Sequence, residues 1–155
     1  MKVLLAVDGS AFSEEAAGEV ARRPWPTGSE VLVVYVVEGT PQPAPEMWGG
    51  SYEDYFAELN RLQRAQARQA LETAARILDA REDKSLRVTT KLLEGQPKRR
   101  IPEEAGAWGA DLVVVGSHGY GFWNRLLLGS VSQAVLSHAP CSVEIVRRRE
   151  DKEGG

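Results

Sequence analysis

The chain has 155 residues, with 19 Lys plus Arg against 22 Asp plus Glu, a net charge of −3 and a single cysteine. That length predicts one domain with a sizeable core, the lone Cys141 excludes an internal disulfide or multi-thiolate metal centre, and the charge balance excludes a dedicated nucleic-acid binder, which needs a basic face. The apolar run at residues 3–7 is too short for a signal peptide or a membrane span, so a cytoplasmic chain with neither a membrane nor a nucleic-acid partner is expected.

Residues 3–7, Val-Leu-Leu-Ala-Val, are unbroken apolar, the pattern of a strand covered by helices on both faces. Ser10 or Ser13 supplies an N-cap for a helix over residues 11–22, with Phe12, Ala16, Ala17 and Val20 as its apolar stripe. Residues 31–37 repeat the unbroken strand pattern. Residues 38–51, rich in Pro and Gly and carrying Trp48, read as a mobile loop. A long amphipathic helix over 52–80 follows. It places Tyr55, Phe56, Leu59, Leu62, Ala70, Leu71, Ala74, Ile77 and Leu78 on one face and Arg61, Arg64, Arg68, Glu72 and Arg76 on the other. Residues 87–93 alternate, Val88, Thr90 and Leu92 against Arg87, Thr89 and Lys91. Pro97 suits the first turn of a helix ending near Trp108, within which Pro102 predicts a kink or a late start. The segment at residues 111–115 carries a further unbroken run, Leu-Val-Val-Val at 112–115, and residues 142–146 alternate. The domain is expected over residues 1–147, followed by a charged flexible tail at 148–155.

Short apolar strands alternating with helical spacing predict an α/β fold, a single-domain open parallel five-stranded sheet with helices on both faces. The two alternating segments fit the margins of that sheet, where one face is less covered. With strands three and five as edges, right-handed crossovers predict the order 3-2-1-4-5, whereas 2-1-3-4-5 would put the unbroken second strand at an edge. In the former order the winding reverses between strands one and four, and ligands bind outside the carboxyl ends of the strands at such a reversal. Those ends are Asp8-Gly9-Ser10 and Gly116-Ser117-His118-Gly119.

Residues 116–130 read Gly-Ser-His-Gly-Tyr-Gly-Phe-Trp-Asn-Arg-Leu-Leu-Leu-Gly-Ser, a strand end opening into a glycine-rich turn and returning to a helix. Ser130 and Gln133 have the spacing of a capping box, so the helix through His138 is expected to begin there. Glycines that let backbone N–H groups approach an anion, beside a helix N-terminus, make a phosphate site. No G-x-x-x-x-G-K-[ST], dinucleotide fingerprint or G-x-S-x-G elbow is present.

Nearly the whole chain resembles the universal stress protein family, through Val-Leu-Leu-Ala-Val-Asp-Gly-Ser at the start, the run from Gly109 to Gly119, Leu127-Leu128-Gly129-Ser130-Val131-Ser132, and His138-Ala139-Pro140-Cys141. The family's ATP-binding pattern, G-x-x-G-x(9)-G-[ST], is matched in full. The resemblance implies the same open sheet, of the adenine nucleotide alpha hydrolase-like type, a homodimer, and ATP in the crevice as ligand. Asp8 and Val36 would meet the adenosine end. Gly116, Ser117, His118 and Gly119 would line ribose and phosphates, and Gly129, Ser130, Val131 and Ser132 the phosphate tail. The chain departs from the family's pattern at Pro102 and at Phe122-Trp123.

Asp8 either caps the following helix or contacts ligand, and with a triphosphate nearby it is the candidate ligand for Mg²⁺. Arg125 is a candidate charge-assisted phosphate donor. His118 sits in a polar turn with no partner nucleophile, and Cys141 reads as a small packed side chain. The homodimer is expected through strand five, residues 142–146, by antiparallel edge pairing. The chain lacks an evident attacking-water base plus transition-state arginine, so a nucleotide-responsive binding protein is expected. The alternatives are a slow Mg²⁺-dependent ATP hydrolase or autophosphorylating protein, and an interaction module without nucleotide.

Overall fold

In the computed structural model, which describes residues 1–39, 51–119 and 127–148, strands and helices alternate along the chain. They are β1 (Lys2–Ala6), α1 (Ala11–Arg22), β2 (Glu30–Val37), α2 (Ser51–Asp79), β3 (Arg87–Glu94), α3 (Pro97–Trp108), β4 (Leu112–Gly116), α4 (Ser130–His138) and β5 (Ser142–Val146). The five strands pair in parallel in the order β3-β2-β1-β4-β5, as expected from the two kinds of apolar pattern. Val3 lies beside Val31 and Leu112, and Leu5 beside Val33 and Val114. Because side chains alternate along a strand, these residues face α1 and α2, while Leu4, Leu32, Val34, Val113 and Val115 face α3 and α4. The three inner strands therefore bury both faces, which is why they read as unbroken apolar runs.

On the edges the polar alternates meet charges rather than core. Lys91 of β3 pairs with Glu104 of α3 at 2.6 Å, and Glu144 of β5 accepts from the guanidinium of Arg23, which also bonds Glu19 of α1. Thr90, expected on the covered face of β3, is exposed. Ser10 is the cap of α1, its Oγ accepting from Ser13 N at 3.3 Å.

Two expectations about the helices change. Tyr55 and Leu62 are exposed rather than part of the packed face, and the core takes Phe56, Ala67, Ala70, Leu71, Ala74 and Leu78. The reason is angular: at about 100° per residue the buried residues form one stripe, and Tyr55 and Leu62 lie about 110–130° round the helix from its centre. The other change is in α3, which starts at Pro97 and runs on through Pro102, so no late start occurs. The donor that Pro102 lacks would serve the carbonyl of Lys98, an exposed residue whose acceptor water can satisfy.

Two contacts set how α1 lies on the sheet. Arg81, after α2, donates through Nη1 to the carbonyls of Val20, Ala21 and Arg23 at 3.2, 2.6 and 2.7 Å, closing the carboxyl end of α1. At the other end, a Cβ on Gly116 would lie 2.8 Å from the backbone C and O of Phe12, so the first turn of α1 presses directly on the end of β4. Replacing Arg81 with Met is expected to lower the unfolding free energy by about 2 kcal/mol, since the part-buried carbonyls of Ala21 and Arg23 lose a charged donor, that of Val20 keeping Trp25 Nε1. An unchanged urea midpoint would show that this cap contributes nothing. Gly116→Ala is expected to cost about 1–3 kcal/mol by overpacking against backbone that cannot rotate away; a wild-type midpoint would show that α1 yields freely.

Candidate functional site

The winding of the sheet reverses between β1 and β4, and a cleft of about 490 Å³ opens there at the carboxyl ends of β1, β2 and β4. Of the residues expected at the site, Asp8, Val36, Gly116, His118, Gly119, Gly129, Ser130, Val131 and Ser132 all line it. Ser117 does not: it is 2% exposed and serves the framework. Arg125 lies outside the described residues, as do Trp48, Phe122, Trp123, most of the 38–51 loop and the end of the tail.

The glycine end of the cleft is held by backbone. Ser117 N donates to Val146 O at 2.8 Å, and the Ser117 carbonyl accepts from Gly129 N at 2.8 Å. Ser132 Oγ donates to the Gly116 carbonyl at 2.7 Å and to that of Ser117 at 3.2 Å. The start of α4 is thereby tied to the end of β4. The expected capping box is not formed. Gly129, not Ser130, is the N-cap, and Gln133 donates through Nε2 to Leu128 O instead of reaching a serine cap. The tight approach explains why: a Cβ on Gly129 would sit 3.2 Å from both His118 Cα and Ser117 O, so a glycine takes the junction.

A glycine cap has a chemical consequence. The first acceptor inside α4 is the Gly129 carbonyl, used by Gln133 N at 3.0 Å, so helix geometry assigns no partner to the N–H groups of Ser130, Val131 and Ser132. No side chain caps that turn. Three donors at the positive end of a helix dipole thus line the cleft, an arrangement suited to an anion. The Ser132 hydroxyl proton is committed to Gly116 and Ser117, so what Ser132 offers a ligand is its backbone N–H.

Across the cleft, Asp8 Oδ1 accepts from Ser10 N at 2.9 Å. Its other oxygen faces the turn, only 2.7 Å from where a Cβ on Gly119 would lie. Asp8 therefore shapes the first turn of α1 and also presents a carboxylate oxygen beside the glycines. His118 is engaged at both ring nitrogens, Nδ1 with Ser117 Oγ at 3.0 Å and Nε2 with the Leu127 carbonyl. A carbonyl only accepts, so Nε2 donates there, while Nδ1 and the serine hydroxyl share the other hydrogen bond. The ring also packs against Phe12, with centroids 5.2 Å apart. The side chain is held in place at both nitrogens.

The opposite end of the cleft was not legible in the chain's motifs. It is formed by Tyr35, Val36, Val37 and Glu38 at the end of β2, Gln63 and Gln66 of α2, and Pro97 and Ile101 of α3. One signal was present. Gln63 is a polar residue on the helical stripe that otherwise reads Phe56, Ala67, Ala70, Ala74 and Leu78.

Away from the cleft, burial pushes the Cys141 thiol above its ordinary value, and the nearby Asp111 adds to the effect, which is the opposite of a reactive thiolate. Among the described residues no group of three His, Cys, Asp or Glu side chains is placed to hold a metal ion. None of the described helices is long and apolar enough to cross a membrane.

The family model described as Universal stress protein family matches residues 1–147. A universal stress protein of Thermus aquaticus is 37% identical over 147 residues, covering 94% of this chain and 97% of that one. Among solved structures, a universal stress protein from Lactobacillus plantarum superposes with a TM-score of 0.77 at 25% identity, covering 95% of this chain and 97% of that one. One from Arabidopsis thaliana, described with AMP bound, gives 0.64 at 20%, covering 99% and 95%. Two further universal stress protein structures are described as complexes with cAMP and, from Archaeoglobus fulgidus, with dAMP, with TM-scores of 0.58 and 0.61 at 23% and 22% identity; they cover 94% of this chain and 95% and 96% of their own. By the match of sequence along almost its full length, this chain belongs to the universal stress protein family.

Proposed function

We propose that the chain binds ATP in the β1–β4 cleft and acts as a nucleotide-responsive dimer in a stress or signalling role, not as an efficient hydrolase. The observation that carries this reading is the first turn of α4, whose three N–H groups line the cleft beside Gly116 and Gly119 with a glycine as the only cap. That end suits the phosphates. The far end, walled by Val36, Val37, Pro97 and Ile101, suits a flat apolar base. Family relatives whose structures are described with AMP, cAMP or dAMP support an adenine nucleotide. Asp8, expected at the adenosine end, has one carboxylate oxygen against Gly119 of the turn, so it is taken here as the carboxylate beside the phosphate end. With no cluster of acidic or histidine ligands among the described residues, Mg²⁺ would be held by Asp8 together with phosphate oxygens and water, as that ion prefers. His118, occupied at both nitrogens, is not available to activate an attacking water.

Dimerisation is proposed through β5, whose outer edge is unpaired within the sheet. Antiparallel addition of the same strand from a second copy would pair it, with the two strands related by a two-fold axis.

Melting measurements with ATP, ADP and AMP, with and without Mg²⁺, test the ligand. ATP at a hundred times its Kd is expected to add about 2.7 kcal/mol of stability, and Gly129→Val combined with Ser130→Ala is expected to abolish the gain. No stabilisation of the wild type, or the same gain in the double variant, defeats the reading. For the dimer, Ile145→Pro is expected to give a folded monomer in sedimentation velocity with an unchanged far-ultraviolet spectrum; a persistent dimer rules out the β5 route.

A further inference from the structure

The base end of the cleft contains a polar group that nothing within the described chain satisfies. Gln63 projects from α2 into the wall of the cleft near Val36, Val37, Pro97 and Ile101. Its Oε1 is buried and has no hydrogen-bond partner. Buried side-chain oxygens are nearly always paired, because leaving one unpaired is more unfavourable than a typical hydrogen bond is favourable. Only Gln63 Oε1 and Arg81 Nε share this condition among the described buried side-chain atoms, and only the former lines the cleft. Val36, Val37, Pro97 and Ile101 line the same end, together with Tyr35, Glu38 and Gln66. A ligand that fills this end and donates one hydrogen bond would satisfy it.

We propose that Gln63 is the base-selecting residue of the cleft, reading the 6-amino edge of adenine; this rests on the nucleotide reading above and extends it to a residue outside the glycine motif. A carboxamide sets an acceptor and a donor side by side. Adenine presents the matching pair, an exocyclic amino donor next to a ring-nitrogen acceptor, which is why Gln and Asn pair with that edge in a bidentate way. Oε1 accepts from the 6-amino group and Nε2 donates to the ring nitrogen. A 6-oxo purine presents acceptors at both O6 and N7, so Oε1 would stay buried and unpaired against it. The amide discriminates between bases, while Val36, Val37, Pro97 and Ile101 of the same lining offer the apolar contact.

Titration calorimetry with ATP, purine riboside triphosphate, which lacks the 6-amino group, and inosine triphosphate, which carries a 6-oxo group, tests the assignment. The wild type is expected to bind ATP about tenfold more tightly than purine riboside triphosphate. Gln63→Leu is expected to lose about tenfold for ATP and to leave purine riboside triphosphate unchanged, so that the variant and the ligand deletion are coupled. Gln63→Lys, which offers donors only, is expected to shift preference from ATP toward inosine triphosphate and serves as a separate test should the Leu variant fail to fold. An ATP preference that survives either folded variant, or equal binding of the three ligands by the wild type, overturns the role of Gln63 and leaves the nucleotide site standing. Binding of none of the three by the wild type overturns the nucleotide site itself and this role with it.

Discussion

Two short backbone-directed hydrogen bonds hold the start of α4 against the end of β4, and the candidate site depends on them. Gly129 N and Ser132 Oγ reach the carbonyls of Ser117 and Gly116, while Ser117 N is anchored to Val146 of the neighbouring strand. A helix start held this close to a strand end has little room for side chains at the junction, and the glycines occupy the positions where a Cβ would collide. The same absence of side chains leaves the first turn of α4 without a cap. The close packing and the open N–H donors thus come from one cause. Gly116, pressed against the backbone of Phe12, shows the packing half most clearly.

The two walls of the cleft are built differently. The glycine wall consists of backbone donors on a strand-to-helix junction, with Asp8 opposite and His118 fastened at both ring nitrogens. The other wall consists of side chains from α2, α3 and the end of β2. Arg81, by closing the carboxyl end of α1 with three hydrogen bonds, keeps α1 and the chain segment after α2 together at the opposite end of the layer. The Arg23 network with Glu19 and Glu144 ties α1 in turn to the edge strand β5. A change at the β5 edge would therefore reach the helix whose first turn borders the cleft.

Much of this was legible in the chain. Unbroken apolar runs at β1, β2 and β4 and alternating ones at β3 and β5 distinguish inner from edge strands, because only an inner strand is covered on both faces. From the edges, the strand order and the location of the crevice follow. The misreadings share a physical origin. Ser130 and Gln133 have the spacing of a capping box, but a local pattern carries no information about which neighbouring backbone approaches the helix start, and that approach moved the cap to Gly129. Tyr55 and Leu62 were counted with a face wider than the stripe the sheet covers, and apolar character alone does not state how wide that stripe is. Pro102 was expected to disturb α3, but a single missing donor is tolerated where the deprived carbonyl belongs to an exposed residue.

The amino-acid sequence by itself determined the α/β class, the inner and edge strands, the winding reversal and the clustering of glycines at the end of β4, since each of these follows from hydrophobic period or from local backbone freedom. Only the tertiary structure decided which donors stay open, that Ser132 uses its hydroxyl within the chain, and that Gln63 of α2 stands unpaired in the wall opposite the glycines. These are properties of groups distant in sequence brought into contact, and whether a polar atom is satisfied depends on every neighbour that surrounds it.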